Sequence, residues 1–337
     1  MGKLYCVYGL GAALLDIEFN VTENDLATMN IVKGAMTLVD QTRQNNLNKH
    51  FAGSLENATR TISGSIANSI IAIAQFGGRT FFSCKVGDDN NGRCYLDALQ
   101  AAEVNFDIDG SLANGITGTC LVMITPDAER SLNTFLGANE LLSEHSIIQN
   151  AIQNSDYLYF EAYLVTSESR LAAAIRASEI ARQNGVKIAL SLSDPEIVNQ
   201  FRHSLRQILG NGVDLVFCNR CEALSWAQAD DLEIAIDKLK EISHTFAITL
   251  GAQGALIYDG TEIHTIEPCE VQVVSTSGAG DMFAGAFLYG ITKGFDFPTA
   301  GKLACVAAAA VVASYGPRLT KLEQQTILAR WNRIQNE

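Results

Sequence analysis

Ser275-Thr276-Ser277-Gly278-Ala279-Gly280-Asp281 sets two glycines and a carboxylate at a handover between two kinds of secondary structure. Upstream, Val271, Val273 and Val274 are β-branched and bounded by Pro268 and the glycines, which predicts a strand arriving at a turn. Downstream, Met282, Phe283, Ala286, Phe287, Tyr289 and Gly290 recur at helical spacing, so residues 278–281 are expected to form the first turn of a helix. A helix start leaves its first backbone N–H groups without internal partners, and the peptide dipoles concentrate positive charge there. Glycine lets a phosphate approach those amides closely, and a β-branched side chain at Gly278 or Gly280 would block it. Asp281 would repel that anion, so it needs a further task, and accepting a proton from an attacking hydroxyl is one. Taken alone, Asp281 reads at least as well as a carboxylate that complements the helix dipole.

From about residue 48 onward, apolar segments with strand and helix periodicity alternate, the pattern of a parallel sheet covered by helices. Helices are predicted over 67–76, 92–102, 167–184, 195–209, 232–242 and 298–314, with a short one at the end of the chain. Strands are predicted over 81–86, 157–160, 187–191, 215–218 and 245–250. Residues 15–21 alternate Asp16, Glu18 and Asn20 with Ile17, Phe19 and Val21, a half-buried strand. With 35–39, 117–124 and 132–136, also without intervening helices, it is expected to build a small separate sheet with Asp16 on its polar face.

The 337 residues, 47% apolar, suffice for a large core. A net charge of −13 argues against nucleic acid as the main partner. The chain offers no apolar run suited to a membrane span, since the Ala-rich 303–314 is too short, and its opening residues lead straight into a strand. Eight scattered cysteines fit a reduced, cytoplasmic setting. Cys218-Asn219-Arg220-Cys221 has zinc or redox spacing but lacks two further ligands nearby, so buried thiols are expected there.

These motifs together resemble the ribokinase-like, or phosphofructokinase B, family of carbohydrate kinases. The second signature of that family, Asp-Thr-(Thr/Asn)-Gly-Ala-Gly-Asp and a small-residue helix, is similar to 275–287. Its first, Gly-Gly-x-x-x-Asn, an apolar helix and Val-Gly-x-Asp, is similar to Ser63-Gly64-Ser65-Ile66-Ala67-Asn68, then Phe76-Gly77-Gly78 and Val86-Gly87-Asp88-Asp89. The likeness runs from about Tyr5 to Arg318. Gly9-x-Gly11-Ala12-x-x-x-Asp16, residues 32–40, Gly137-Ala138-Asn139 and Tyr315-Gly316-Pro317-Arg318 resemble the adenosine-kinase-like branch.

The resemblance implies a three-layer α/β/α domain with a mostly parallel sheet, over 1–14, 48–110 and 140–337. A small β lid would comprise 15–47 and 111–139. It implies ATP-dependent phosphorylation of a primary hydroxyl of a nucleoside or sugar, with Asp281 as base and Gly278, Ala279 and Gly280 amides holding the phosphoryl group. Asp16, Gly64 and Asn68 would hold the acceptor. Asn219, Thr249, Gly251, Gly254 and Cys305 would contact ATP, and Glu222 of Asn219-x-x-Glu222 would act on Mg2+ through water. Arg130 falls where relatives often carry a basic residue near the lid. Pairing of a lid edge with a second copy would give a homodimer.

Three departures bear on this expectation. Ser275 stands for the usual Asp near a potassium-like ion, which makes monovalent-cation activation doubtful. Ser63 replaces the first glycine of the pair, and Cys305 falls near a frequent Asn. Alternatives are a kinase for ribose, fructose or a phosphorylated hexose, and a catalytically silent nucleoside or sugar sensor. Gly9-Leu10-Gly11 hints at a dinucleotide fold, but Leu14 stands where its third glycine belongs.

Overall fold

A computed structural model describes residues 2–127 and 129–336. Its main sheet has eight strands in the spatial order Ile263–Ile266, Ala255–Tyr258, Ser243–Thr249, Val213–Asn219, Lys187–Ser191, Ser155–Glu161, Tyr5–Leu10 and Thr80–Ser83. The first two join antiparallel and the rest are parallel. The central strands are apolar throughout because both faces are covered. Tyr157 and Tyr159 pack with Phe283 and Phe287 on one side, while Leu158 and Phe160 pack with Ile180 and Leu205 on the other. Each fully buried residue of this size contributes roughly 1.5–3 kcal/mol by leaving water. The result is the three-layer α/β/α architecture of a ribokinase-like fold.

A second sheet orders Met36–Leu38, Arg130–Phe135, Gly118–Ile124, Leu14–Asn20 and Thr59–Ser63. Its period of two is strict. Leu15, Ile17, Phe19, Leu121 and Met123 form a satellite core with Leu26, Leu47 and Phe51, whereas Asp16, Glu18, Cys120, Val122 and Leu132 face the opposite way, into a cavity.

Several expectations need correction. Residues 271–274 form no strand: the Val274 and Ser275 N–H groups both donate to Val312 O, the end of the Phe297–Val312 helix, at 2.8 and 3.1 Å. The 15–47 segment contains helices Glu23–Thr28 and Gln41–His50, the latter nearly uniformly polar and so lacking the apolar stripe that reveals helices in sequence. It starts because Asp40 caps the Arg43 amide at 2.7 Å. Residues 59–63, expected in the large domain, pair with Leu14–Asn20 in the small sheet. The helix predicted over 195–209 is interrupted at Phe201, giving Pro195–Gln200 and Arg202–Leu209. The strand predicted over 81–86 divides into Thr80–Ser83 and Val86–Gly87, and the final helix is longer than expected, Lys321–Asn336. In the Cys-x-x-Cys pair Cys218 is buried but Cys221 is exposed, and both are free thiols.

Gly9 and Gly11 serve packing. A Cβ on Gly9 would lie 2.6 Å from Ile70 Cγ1, and one on Gly11 2.8 Å from Ile66 Cβ, so the apolar helix Ser65–Gln75 occupies the space a dinucleotide would need.

Candidate active site

Two helices run side by side in parallel with their N-termini together, as the pairings Asp281–Ser65, Gly285–Ser69 and Tyr289–Phe76 show. Gly64 caps Ser65–Gln75 and Gly278 caps Ala279–Thr292. Gly285 lets the helices approach, since a Cβ there would lie 2.8 Å from Ser69 O. Ser65, Asn68 and Ser69 share one face of the first helix and all three reach Asp281. Ser65 Oγ donates to Oδ1 at 2.6 Å, Asn68 Nδ2 to Oδ2 at 2.8 Å, and Ser69 Oγ to the Asp281 carbonyl at 2.8 Å. Arg318 completes the cluster by donating to Ile62 O at 2.6 Å and to Asn68 Oδ1. Burial pushes the Asp281 carboxyl above the ordinary aspartate range, against the Ser65 and Asn68 hydrogen bonds and the Arg318 charge.

The amides of the second helix start are mostly open. Among the described residues, Gly280 and Asp281 N–H have no protein acceptor, and neither has Gly278 N–H. Ala279 N–H differs: it donates to Thr276 O at 3.3 Å, closing a turn, and so is less available than expected. Gly280 is exposed, and a Cβ built there would meet nothing within 4 Å. Gly278 has φ +77° and its Cβ would fall 2.0 Å from Pro317 O, so glycine is required there by the closing loop rather than by a ligand.

Three cavities run end to end through this point. The first, about 340 Å³, lies between the two sheets, with a roof of Leu14, Met36, Leu38, Val122, Leu132 and Leu136 into which Asp16 of the same sheet also projects, and a polar floor including Gly64, Asn68, Glu161 and Asp281. A crevice of about 190 Å³ follows, lined by Ser65, Asn219, Glu222, Thr249, Gly280 and Asp281. The third, about 680 Å³, is bounded by Thr249, Gly251, Gly254, Val271, Val273, Gly280, Phe283 and Cys305. Asp281 therefore faces the first two and Gly280 the last two. Val271 and Val273, misread as strand, are wall residues of the third cavity, 41% and 66% exposed.

Every expected site residue lies on this track. Asn219 and Glu222 form a capping box on Arg220–Ala227, with Asn219 Nδ2 donating to Glu222 Oε1 at 2.6 Å and Asn219 N to Oε2 at 3.0 Å. Burial raises Glu222 to about 7. Burial likewise lifts Asp16 to about 6. Arg130 donates to Glu18 at 3.2 Å and to Ser277 Oγ at 2.8 Å, tying the small sheet to the loop that precedes the Ala279–Thr292 helix. Asn68 is committed to Asp281 and Arg318, so it positions the carboxylate and keeps one Nδ2 hydrogen for an acceptor.

Ser65, Glu161 and Arg318 were not singled out from sequence. Ser65 and Arg318 stood inside motifs, whereas Glu161 carried only a weak signal, a lone carboxylate closing a buried parallel strand. Glu161 is 1% exposed, accepts from Ala12 N at 3.0 Å and is raised by burial to about 7. Gly64 has φ +119° and a Cβ there would fall 2.1 Å from Ala12 O. Gly64→Ala is therefore expected to destabilise the fold by more than the ~1–3 kcal/mol of backbone strain alone, read as a lowered denaturation midpoint.

A carboxylate beside open helix-start amides, bordering one cavity with a polar floor and a crevice that leads to a larger apolar one, is an arrangement suited to phosphoryl transfer to an alcohol. The chain belongs to the pfkB family of carbohydrate kinases, whose model it matches over residues 30–324. It is 31% identical to a probable sugar kinase protein from Rhizobium etli, covering 98% of this chain and 99% of that one with a TM-score of 0.90. It is 32% identical to the adenosine kinase from Sinorhizobium meliloti, covering 96% and 99% with a TM-score of 0.89. The ribokinase of Haemophilus influenzae is 28% identical over 75% of this chain and 81% of its own length. The protein is thus a sugar or nucleoside kinase. Among the described residues no helix is long and apolar enough to cross a membrane.

Proposed function

We propose that the protein transfers the γ-phosphoryl group of ATP to the primary hydroxyl of a nucleoside, in the manner of an adenosine kinase. The observation that carries this reading is the shared wall: Asp281 borders the first cavity and the crevice, so one carboxylate reaches both acceptor and phosphoryl group. The apolar roof favours a nucleoside over a bare sugar, because a flat base can cover it while a sugar would leave it wet.

The third cavity suits a nucleotide. It has apolar walls for a base and opens onto Gly280, where a Cβ would intrude on the space and nothing else does. Thr249, Gly251, Gly254 and Cys305 line it, and Asn219 lies in the crevice between. Magnesium, when bound, would neutralise phosphate charge, and Glu222 in the crevice suits an outer carboxylate acting through water.

In the reaction, Asp281 orients the acceptor hydroxyl and takes its proton as the oxygen attacks phosphorus. The Gly280 and Asp281 N–H groups, with Gly278 N–H, stabilise the migrating charge, and Ala279 N–H contributes less because Thr276 holds it. Asp16, Gly64 and Asn68 hold the sugar hydroxyls, and the lid excludes water that would otherwise take the phosphoryl group.

ATP consumption with adenosine, inosine, guanosine, ribose, fructose and phosphorylated hexoses tests this reading. Nucleoside turnover supports it; turnover of sugars alone would replace the nucleoside by a sugar, and ligand binding without turnover would make the protein a sensor. Glu222→Gln is expected to raise the half-saturating Mg2+ concentration about 10-fold or more while leaving the acceptor KM nearly unchanged, read by Mg2+ titration of the initial rate.

A further inference from the structure

Arg318 lines none of the three cavities, yet it touches a residue that holds the base. It follows Pro317, whose carbonyl closes on Gly278, so the loop that packs against the start of the Ala279–Thr292 helix also fixes the root of Arg318. Its Nη1 donates to Ile62 O of the Thr59–Ser63 strand at 2.6 Å and to Asn68 Oδ1. The loop after the Phe297–Val312 helix, the small sheet and the Ser65–Gln75 helix are thereby joined at one guanidinium nitrogen.

That contact decides which way Asn68 points. Asn68 is buried between Arg318 and Asp281. An amide can offer a neighbour either its oxygen or its NH2, whereas a guanidinium only donates and an ionised carboxylate only accepts. With Oδ1 of Asn68 claimed by Arg318, Nδ2 faces Asp281 Oδ2, while Ser65 Oγ holds the other oxygen of the same carboxylate. Without Arg318 the amide is free to turn its oxygen toward the carboxylate, and one of the two donors is lost. Charge acts in the same sense. The ionisable groups around Asp281 are Asp16, Glu161, Glu222, Tyr159 and Tyr163, and Arg318 is the cation acting on both Asp281 and Asp16. Donated hydrogen bonds and an opposite charge both favour the ionised carboxylate.

We propose that Arg318 is a positioning residue for the phosphoryl transfer: by locking the Asn68 amide and setting its charge against Asp281 and Asp16, it keeps Asp281 aimed and unprotonated as the base without touching either substrate. This rests on the kinase reading above, in which Asp281 takes the hydroxyl proton.

The test is the pH profile of kcat for wild type, Arg318→Met and Arg318→Lys. A base acts only when ionised, and Arg318 favours that form, so its loss should move the acid limb of the profile upward by about one pH unit or more. The Arg318→Met deficit should then be about tenfold or more at the acid end and shrink as pH rises, with the ATP KM within a few-fold of wild type. Arg318→Lys, which keeps a charge and a donor, should restore most of the acid limb. A deficit equal at every pH would show a structural role and overturn the proposal, as would an acid limb that does not move, or one displaced as far by Lys as by Met. If Arg318→Met does not fold, Arg318→Gln, which keeps a donor but lacks the charge, takes its place with the same readings. If wild type phosphorylates nothing, the kinase reading fails separately, and NMR titration of the Asn68 side-chain amide, identified with Asn68→Ala, decides. That signal follows the ionisation of Asp281. A higher titration midpoint in the Arg318 variant supports its role, and an unchanged midpoint overturns it.

Discussion

Asp281→Asn is expected to lower kcat about 10²-fold or more while leaving ATP affinity within a few-fold of wild type. Asn keeps the shape and can still accept from Asn68, and the Ser65 hydroxyl can accept as well as donate, so the side-by-side helix contact survives. What is lost is the negative charge that accepts the proton. The pH dependence isolates this. Burial raises the Asp281 pKa, while Ser65, Asn68 and Arg318 lower it, and Asp16, Glu161 and Glu222 lie close enough to feel its charge. A base works only when ionised, so the wild-type advantage is full above that raised pKa and disappears as pH falls through it, beginning above the ordinary aspartate value of about 3.9. The ratio of wild-type to variant rates should therefore shrink in acid, even though neighbouring carboxylates shape both profiles. Wild-type turnover in the variant would remove Asp281 from the base role.

Gly280→Val should show the opposite separation, an intact fold with a lost nucleotide. A Cβ there has no protein neighbour within 4 Å, so thermal stability should stay near wild type. It would occupy the space in front of the open Gly280 and Asp281 amides, and removal of one well-aimed donor typically costs about 10²–10³-fold. We expect kcat/KM for ATP to fall by about 10²-fold or more, with calorimetric ATP binding weakened in parallel. Gly278→Val is the control. Its positive φ and the clash with Pro317 should destabilise the protein itself. Undiminished ATP binding by the stable Gly280 variant would mean that the phosphates do not lie at this helix start.

The large α/β/α layer and most of its strands were legible because doubly covered parallel strands are continuous apolar runs, as in Tyr157–Phe160. The small second sheet was legible through the alternation of Asp16 and Glu18 with Ile17 and Phe19. The Gln41–His50 helix was not, because a peripheral element resting on little more than Gln44 and Leu47 needs almost no apolar stripe. Val271 and Val273 misled for a related reason: β-branched residues suit a strand and an apolar cavity wall equally, and local sequence does not say which partner is present.

What the sequence determined by itself is whatever depends on neighbours along the chain: the glycine-bounded helix start before Asp281, the Asn219 and Glu222 capping box, and the periodicities that place Asp16 on a polar face. Only the tertiary structure decided which of those pieces meet. Ser65 and Asn68 lie more than two hundred residues from the carboxylate they hold, and Arg318 reaches Asn68 across 250. Burial, which raises Asp281 and Glu161, depends on contacts between remote segments, and no local pattern of residues encodes it.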